Sequence, residues 1–190
     1  NQKGELFALD QATGQTKWTA QLSGSIIAPS HIQAGRVITV SNDGNVYAHD
    51  ENTGQQLWTY RLPSVPFSLR GQAAPVQLDP NHVLIATANA YVYGIDVISG
   101  VPRLQRRVAV AEGRSDVQRL NDIDGDPVMM GQFMVTTSYQ GQVTVTDLAQ
   151  QQVVWSDDAS SNQRPEVTQS KVFITTTTGK VIAYDLMSGQ

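Results

Sequence analysis

One phrase recurs along this chain, and it restricts the fold more than any composition could. Gly4-Glu5-Leu6-Phe7-Ala8-Leu9-Asp10 is followed by Thr13-Gly14 and then Trp18. It returns as Gly44-Asn45-Val46-Tyr47-Ala48-His49-Asp50, with Thr53-Gly54 and Trp58. A weaker copy runs from Asn89 to Asp96, with Ser99-Gly100, and carries Leu104 in the tryptophan place. The copy from Gly141 to Asp147 has Gln151 in the glycine place and keeps Trp155. The last spans Gly179 to Asp185 and Ser188-Gly189. Successive starts are 40, 45, 52 and 38 residues apart, a period that marks a repeat architecture.

Each part of the phrase has a mechanical meaning. Apolar residues alternate with polar or small ones, which is the period-2 signature of a strand. A β-branched run precedes it across a tight turn: Val37-Ile38-Thr39-Val40 before Asn42-Asp43-Gly44, and Val172-Phe173-Ile174-Thr175 before Thr178-Gly179. Asx residues and glycine there supply the positive φ of a hairpin turn. Asp-x-x-Thr/Ser-Gly reads as a second turn, in which the aspartate accepts a nearby backbone N–H and glycine takes the left-handed position. A further strand carries the tryptophan. Upstream of each β-branched run stands a proline, at 29, 75, 127 and 165, where a missing ladder donor suits a strand end.

Four short antiparallel strands in units of roughly 40–45 residues describe a propeller blade. The predicted fold is all-β, a β-propeller of four-stranded blades over residues 1–190. Blades are expected at roughly 23–62, 63–108 and 109–158, with partial ones at 1–22 and 159–190. An eight-bladed ring would need roughly 320–360 residues, so the chain reads as about half of one. A β-sandwich would not require one phrase to recur in phase. The tryptophans read as packing between neighbouring blades rather than as ligand-stacking platforms.

Composition narrows the function. A formal net charge of −4 with only four lysines argues against a protein that wraps nucleic acid. There is no apolar run long enough for a transmembrane helix. The N-terminus lacks a signal-peptide pattern, so any such segment is expected to have been removed or to lie upstream. The absence of cysteine excludes disulfides, thiolate metal sites and cysteine nucleophiles within the chain. His31, His49 and His82 occupy unrelated repeat positions, and no phosphate-binding loop or hydrolytic motif is present, so no catalytic residue is assigned.

Two connections are longer than the others: Trp58 to Pro75 and Leu104 to Pro127 exceed Trp18 to Pro29 and Trp155 to Pro165. All are links from the outer strand of one blade to the inner strand of the next, and in a propeller these links share a face. Insertions on one face of a repeat protein mark a binding surface. Six of the nine arginines (Arg70, Arg103, Arg106, Arg107, Arg114, Arg119) lie in or beside these two segments. The first offers Phe67 and Leu69 beside Arg70, residue types enriched at protein interfaces. The second contains Asp122, Asp124 and Asp126 at alternate positions, an invitation to calcium. Pro127 and Phe133 stand where the calcium loop wants glycine and a bidentate glutamate, so no metal is assigned. Solvated carboxylates pairing with nearby arginines, Arg70 with Asp122 or Asp124 among them, are the preferred reading.

The repeat Gly-x-Val/Leu-Tyr/Phe-Ala-x-Asp-x-x-Thr-Gly-x-x-x-Trp resembles that of quinoprotein-like (PQQ-repeat) eight-bladed propellers. Within them, the stretches 66–75, Pro-Phe-Ser-Leu-Arg-Gly-Gln-Ala-Ala-Pro, and 117–127, Val-Gln-Arg-Leu-Asn-Asp-Ile-Asp-Gly-Asp-Pro, are similar to the BamB family of outer-membrane protein assembly factors. The resemblance implies a non-catalytic lipoprotein subunit of the β-barrel assembly machinery on the periplasmic face of the outer membrane. It implies no cofactor, and a membrane attachment only through an N-terminal lipid anchor outside this chain. The implied partners are the POTRA domains of BamA, with unfolded outer-membrane proteins as further ones. The family's partner-binding positions fall on Phe67, Leu69, Arg70, Asp122 and Asp124; Phe67 stands where an aliphatic residue is common. The alternatives are a fragment of a PQQ-dependent dehydrogenase, against which zero cysteine and the missing ligand set count, and a generic propeller scaffold.

Overall fold

The computed structural model describes residues 1–63, 73–87, 91–107, 126–138 and 141–190, and every regular element among them is a β-strand. β1 (Glu5–Leu9) pairs with β2 (Thr16–Gln21). The next sheet runs in sequence order through β3 (His31–Gln33), β4 (Arg36–Val40), β5 (Asn45–Asp50) and β6 (Gln56–Arg61). It is followed by β7 (Val76–Asp79), β8 (His82–Ala86), β9 (Tyr91–Asp96) and β10 (Pro102–Arg107). The fourth sheet holds β11 (Val128–Met130), β12 (Phe133–Thr137), β13 (Gln142–Asp147) and β14 (Gln152–Asp158). The last contains β15 (Glu166–Val167), β16 (Lys171–Thr175) and β17 (Val181–Asp185). Every pairing is antiparallel, and the first strands of successive sheets, β3, β7, β11 and β15, adjoin one another. This is about half of a propeller ring.

The middle strands are buried on both sides, which changes the meaning of their alternation. β4, β5, β8, β9, β12 and β13 each contain at least four consecutive buried residues. Both faces there are covered, so hydroxyl-bearing residues such as Thr39, Thr136 and Thr144 are buried along with their apolar neighbours. A true inside–outside alternation survives on the outer strands β2 and β6. Cores lie between neighbouring sheets: Ile38, Val40 and Val46 meet Val83, Ile85 and Ile95, and Val135, Val143 and Val145 meet Val172 and Ile174. Burying such apolar surface is the main favourable term in folding.

Turn chemistry separates two faces. On one, Asp10 Oδ1 accepts the N–H groups of Ala12 and Thr13 and the Thr13 hydroxyl. Asp50, Asp96 and Asp185 repeat the arrangement. The backbone N–H three residues on is the largest cause holding these four carboxyls, and that of Asp147, below the usual aspartate range. On the other face lie the β4–β5 and β16–β17 turns, with Gly44 at φ 82° and Gly179 at φ 80°. The short links run beside them: Asn42 N–H donates to Ser25 O at 2.9 Å, and Thr177 N–H to Ser160 O at 2.9 Å.

Each tryptophan docks on the next blade. Trp18 Nε1 donates to Glu51 O at 2.9 Å, Trp58 to Val97 O at 2.9 Å and Trp155 to Leu186 O at 2.8 Å. The rings lie over Gly54, Gly100 and Gly189, where an added Cβ would stand 2.6, 2.6 and 2.7 Å from the indole. They are half-buried caps on the seam between blades rather than interior side chains. Where the tryptophan place holds Leu104, the turn of the following blade holds Gln151, at φ 60°. Without an indole overhead, a side chain is sterically permitted, and only the left-handed backbone penalty remains.

Gly100→Ala should therefore destabilise the protein by at least about 2 kcal/mol, combining left-handed strain with displacement of the Trp58 ring. Gln151→Gly, at the equivalent turn, should leave stability unchanged or raise it by about 1 kcal/mol. Denaturant unfolding of the two variants beside the parent checks this, and equal effects of opposite expectation would refute the docking account.

Candidate functional site

The links and the β4–β5 type turns share a face, and the described ends of both long links are found there. Leu62, at the start of the first, is buried and donates its N–H to Gly44 O at 2.9 Å. At its far end Ala73 is buried among Leu84, Ala86, Val92 and Met134, in the seam between the second and third four-stranded sheets. Ala74 and Pro75 are buried beside it, leading into β7. The second long link ends at Asp126, half-buried, and Pro127, buried, leading into β11. The two ends meet: Ala74 N–H donates to Asp126 Oδ1 at 2.5 Å, across 52 residues of sequence.

Phe67, Leu69, Arg70, Asp122 and Asp124 lie outside the described residues, as do Arg114 and Arg119. Arg103 and Arg106 are on β10, exposed, on the outer strand of their sheet. Sequence reasoning read Asp126 only as one of the solvated carboxylates of the acidic run, pairing with arginines; the structure instead engages it with a backbone N–H. A signal was present: the residue before the proline is Ala28, Ala74, Asp126 and Arg164 in successive blades, and only Asp126 is a short acceptor-bearing side chain.

The histidines are dispersed. His82 Nδ1 lies 2.8 Å from the Asp79 carboxylate, and His31 Nε2 lies 3.3 Å from Gln33 Oε1. Gln33 in turn donates to Asp79 O at 2.7 Å, tying β3 to the turn between β7 and β8. Among the described residues no three His, Asp or Glu side chains cluster as metal ligands. The described groups on this face are backbone amides and carbonyls, apolar side chains and short polar ones, with the Ser23 hydroxyl donating to Asp43 Oδ2 at 2.6 Å.

Residues 1–190 match the family described as outer membrane protein assembly factor BamB. The chain belongs to the BamB family. It is 30% identical to the outer membrane protein assembly factor BamB of Xanthomonas campestris pv. campestris, over 98% of this chain and 46% of that protein. The BamB of Burkholderia pseudomallei is 30% identical over 99% of this chain and 49% of its own length. The crystal structure of BamB from Moraxella catarrhalis superposes with a TM-score of 0.88 at 32% identity, covering all of this chain and 57% of that one. The chain thus spans about half the length of the curated relatives it matches. Quinohemoprotein alcohol dehydrogenase from Comamonas testosteroni shares the fold, with a TM-score of 0.74 at 13% identity. Family members are named as assembly factors rather than for a catalysed reaction.

His49 is the most buried of the histidines, 2% exposed, and its Nδ1 has no hydrogen-bond partner among the described residues. Burial lowers its pKa by disfavouring the imidazolium. The unfolded chain then takes up a proton first as pH falls. The resulting stability is complete above the ordinary histidine value of about 6.5 and is lost as pH drops from there toward the folded value. Ile95 fills the same repeat slot in the next blade, fully buried. His49→Ile should therefore shrink the difference in melting temperature between pH 7 and pH 5. An unchanged difference would show that His49 contributes nothing to that window.

Proposed function

We propose that this chain is part of a non-catalytic binding subunit of the outer-membrane β-barrel assembly machinery, anchored as a lipoprotein at the periplasmic face. Its two long inter-blade links bind the POTRA domains of BamA and promote assembly and insertion of β-barrel proteins. Phe67 and Leu69 lose water in the contact, and Arg70, Asp122 and Asp124 orient it, a pairing of apolar anchors with charge of each sign. The observation that carries this reading is the bond from Ala74 N–H to Asp126, which joins the ends of both links on one face. Membership of a family named for outer-membrane protein assembly supports it. The dehydrogenase alternative is supported only by likeness of fold at 13% identity.

In the full-length protein, Arg70→Ala should weaken binding of a BamA POTRA fragment by about 2–4 kcal/mol, the range of a hot-spot truncation, with an unchanged melting temperature. Leu69→Ala and Asp122→Ala should weaken it as well. Calorimetric titration with parallel thermal melts is the measurement. Parental binding by all three variants excludes this face, whereas weak binding with early melting moves these residues to a structural role.

A further inference from the structure

The two short links are held by turns of the neighbouring sheet, through Asn42 N–H to Ser25 O and Thr177 N–H to Ser160 O. The start of the first long link is held in the same way, through Leu62 N–H to Gly44 O, but the C-terminal ends of the two long links are held by each other. Ala74 and Asp126 occupy the same repeat position, immediately before the proline that opens an inner strand. A residue before proline is confined to extended backbone, so neither can swing away by local rotation into the helical region. β7 and β11 adjoin, which brings the Ala74 N–H within reach of a side chain two bonds long on the next blade. Aspartate reaches it; the alanine at positions 28 and 74 could not. The site is half-buried, with Ala73, Ala74, Pro75 and Pro127 buried around it, so water competes poorly for the bond. An ionised acceptor in such surroundings makes one of the stronger hydrogen bonds a protein forms.

We infer that Asp126 is a positioning residue for partner recognition. It clamps the C-terminal ends of the two long links to each other and so sets the relative placement of the two arms that the partner must engage together. This rests on the POTRA-binding reading above. The role is separate from that of Asp122 and Asp124, which the reading places in the contact, because the Asp126 carboxylate is already engaged within the chain. It also separates clamp from charge. Asparagine keeps a carbonyl oxygen at the same reach, while alanine removes the acceptor and leaves the Ala74 N–H unpaired.

The test uses the full-length protein with Asp126→Ala and Asp126→Asn, alone and combined with Arg70→Ala. Binding of a POTRA fragment is measured with thermal melts and amide exchange at Ala74. Asp126→Ala should weaken binding about tenfold or more, as expected for losing a hydrogen bond to a charged group, and Asp126→Asn should recover most of it. The effect should be much smaller in the Arg70→Ala background, because a link that no longer carries its contact gains nothing from being placed. A purely structural role would leave the two losses additive. Parental binding by Asp126→Ala overturns the inference while leaving the partner reading intact. If the parent itself does not bind the fragment, the partner reading falls, and the positioning role falls with it. Exchange at Ala74 as slow in Asp126→Ala as in the parent overturns the clamp in either case.

Discussion

The structure depends on one recurrent contact: an indole of one blade laid over a glycine of the next. It joins a hydrophobic cap, an N–H donor to a carbonyl and a steric demand that no residue with a Cβ can meet. The aspartate turn makes that glycine available by closing a loop whose last residue must be left-handed. Tryptophan and glycine are therefore one device shared between two blades, and they are lost together. Leu104 and Gln151 are two halves of a single departure, separated by 47 positions in sequence and by one blade seam in space.

That device occupies one face and leaves the opposite one free to vary. The aspartate turns and tryptophans fix the spacing of the sheets, so links on the other side can lengthen without disturbing the core. In sequence the two expansions fall at successive links, and the described ends of those links lie on that side. The inner-strand prolines then act as fixed posts from which each link departs. At three of the four posts the preceding residue is alanine or arginine, and at the remaining one an aspartate reaches its neighbour. A repeat built for uniform packing thus acquires a local asymmetry at the place where its links are longest.

The sequence by itself determined the strand order, the blade period and both turn types. These follow from local rules: period-2 alternation, left-handed glycines, a carboxylate bonding its own backbone three residues on, and proline at strand starts. It also marked Phe67, Leu69, Arg70, Asp122 and Asp124 as candidates, through residue type, link length and family resemblance; these lie outside the described residues. Tertiary structure alone decided that the middle strands are covered on both faces, so that Thr39, Thr136 and Thr144 are interior, and that each tryptophan belongs to the following blade's glycine. It alone engaged the Asp126 carboxylate with the Ala74 amide. The physical reason is range. Each of these contacts joins residues tens of positions apart, brought together by the stacking of one sheet on the next, and hydrophobic periodicity within a strand carries no record of which neighbour will cover it.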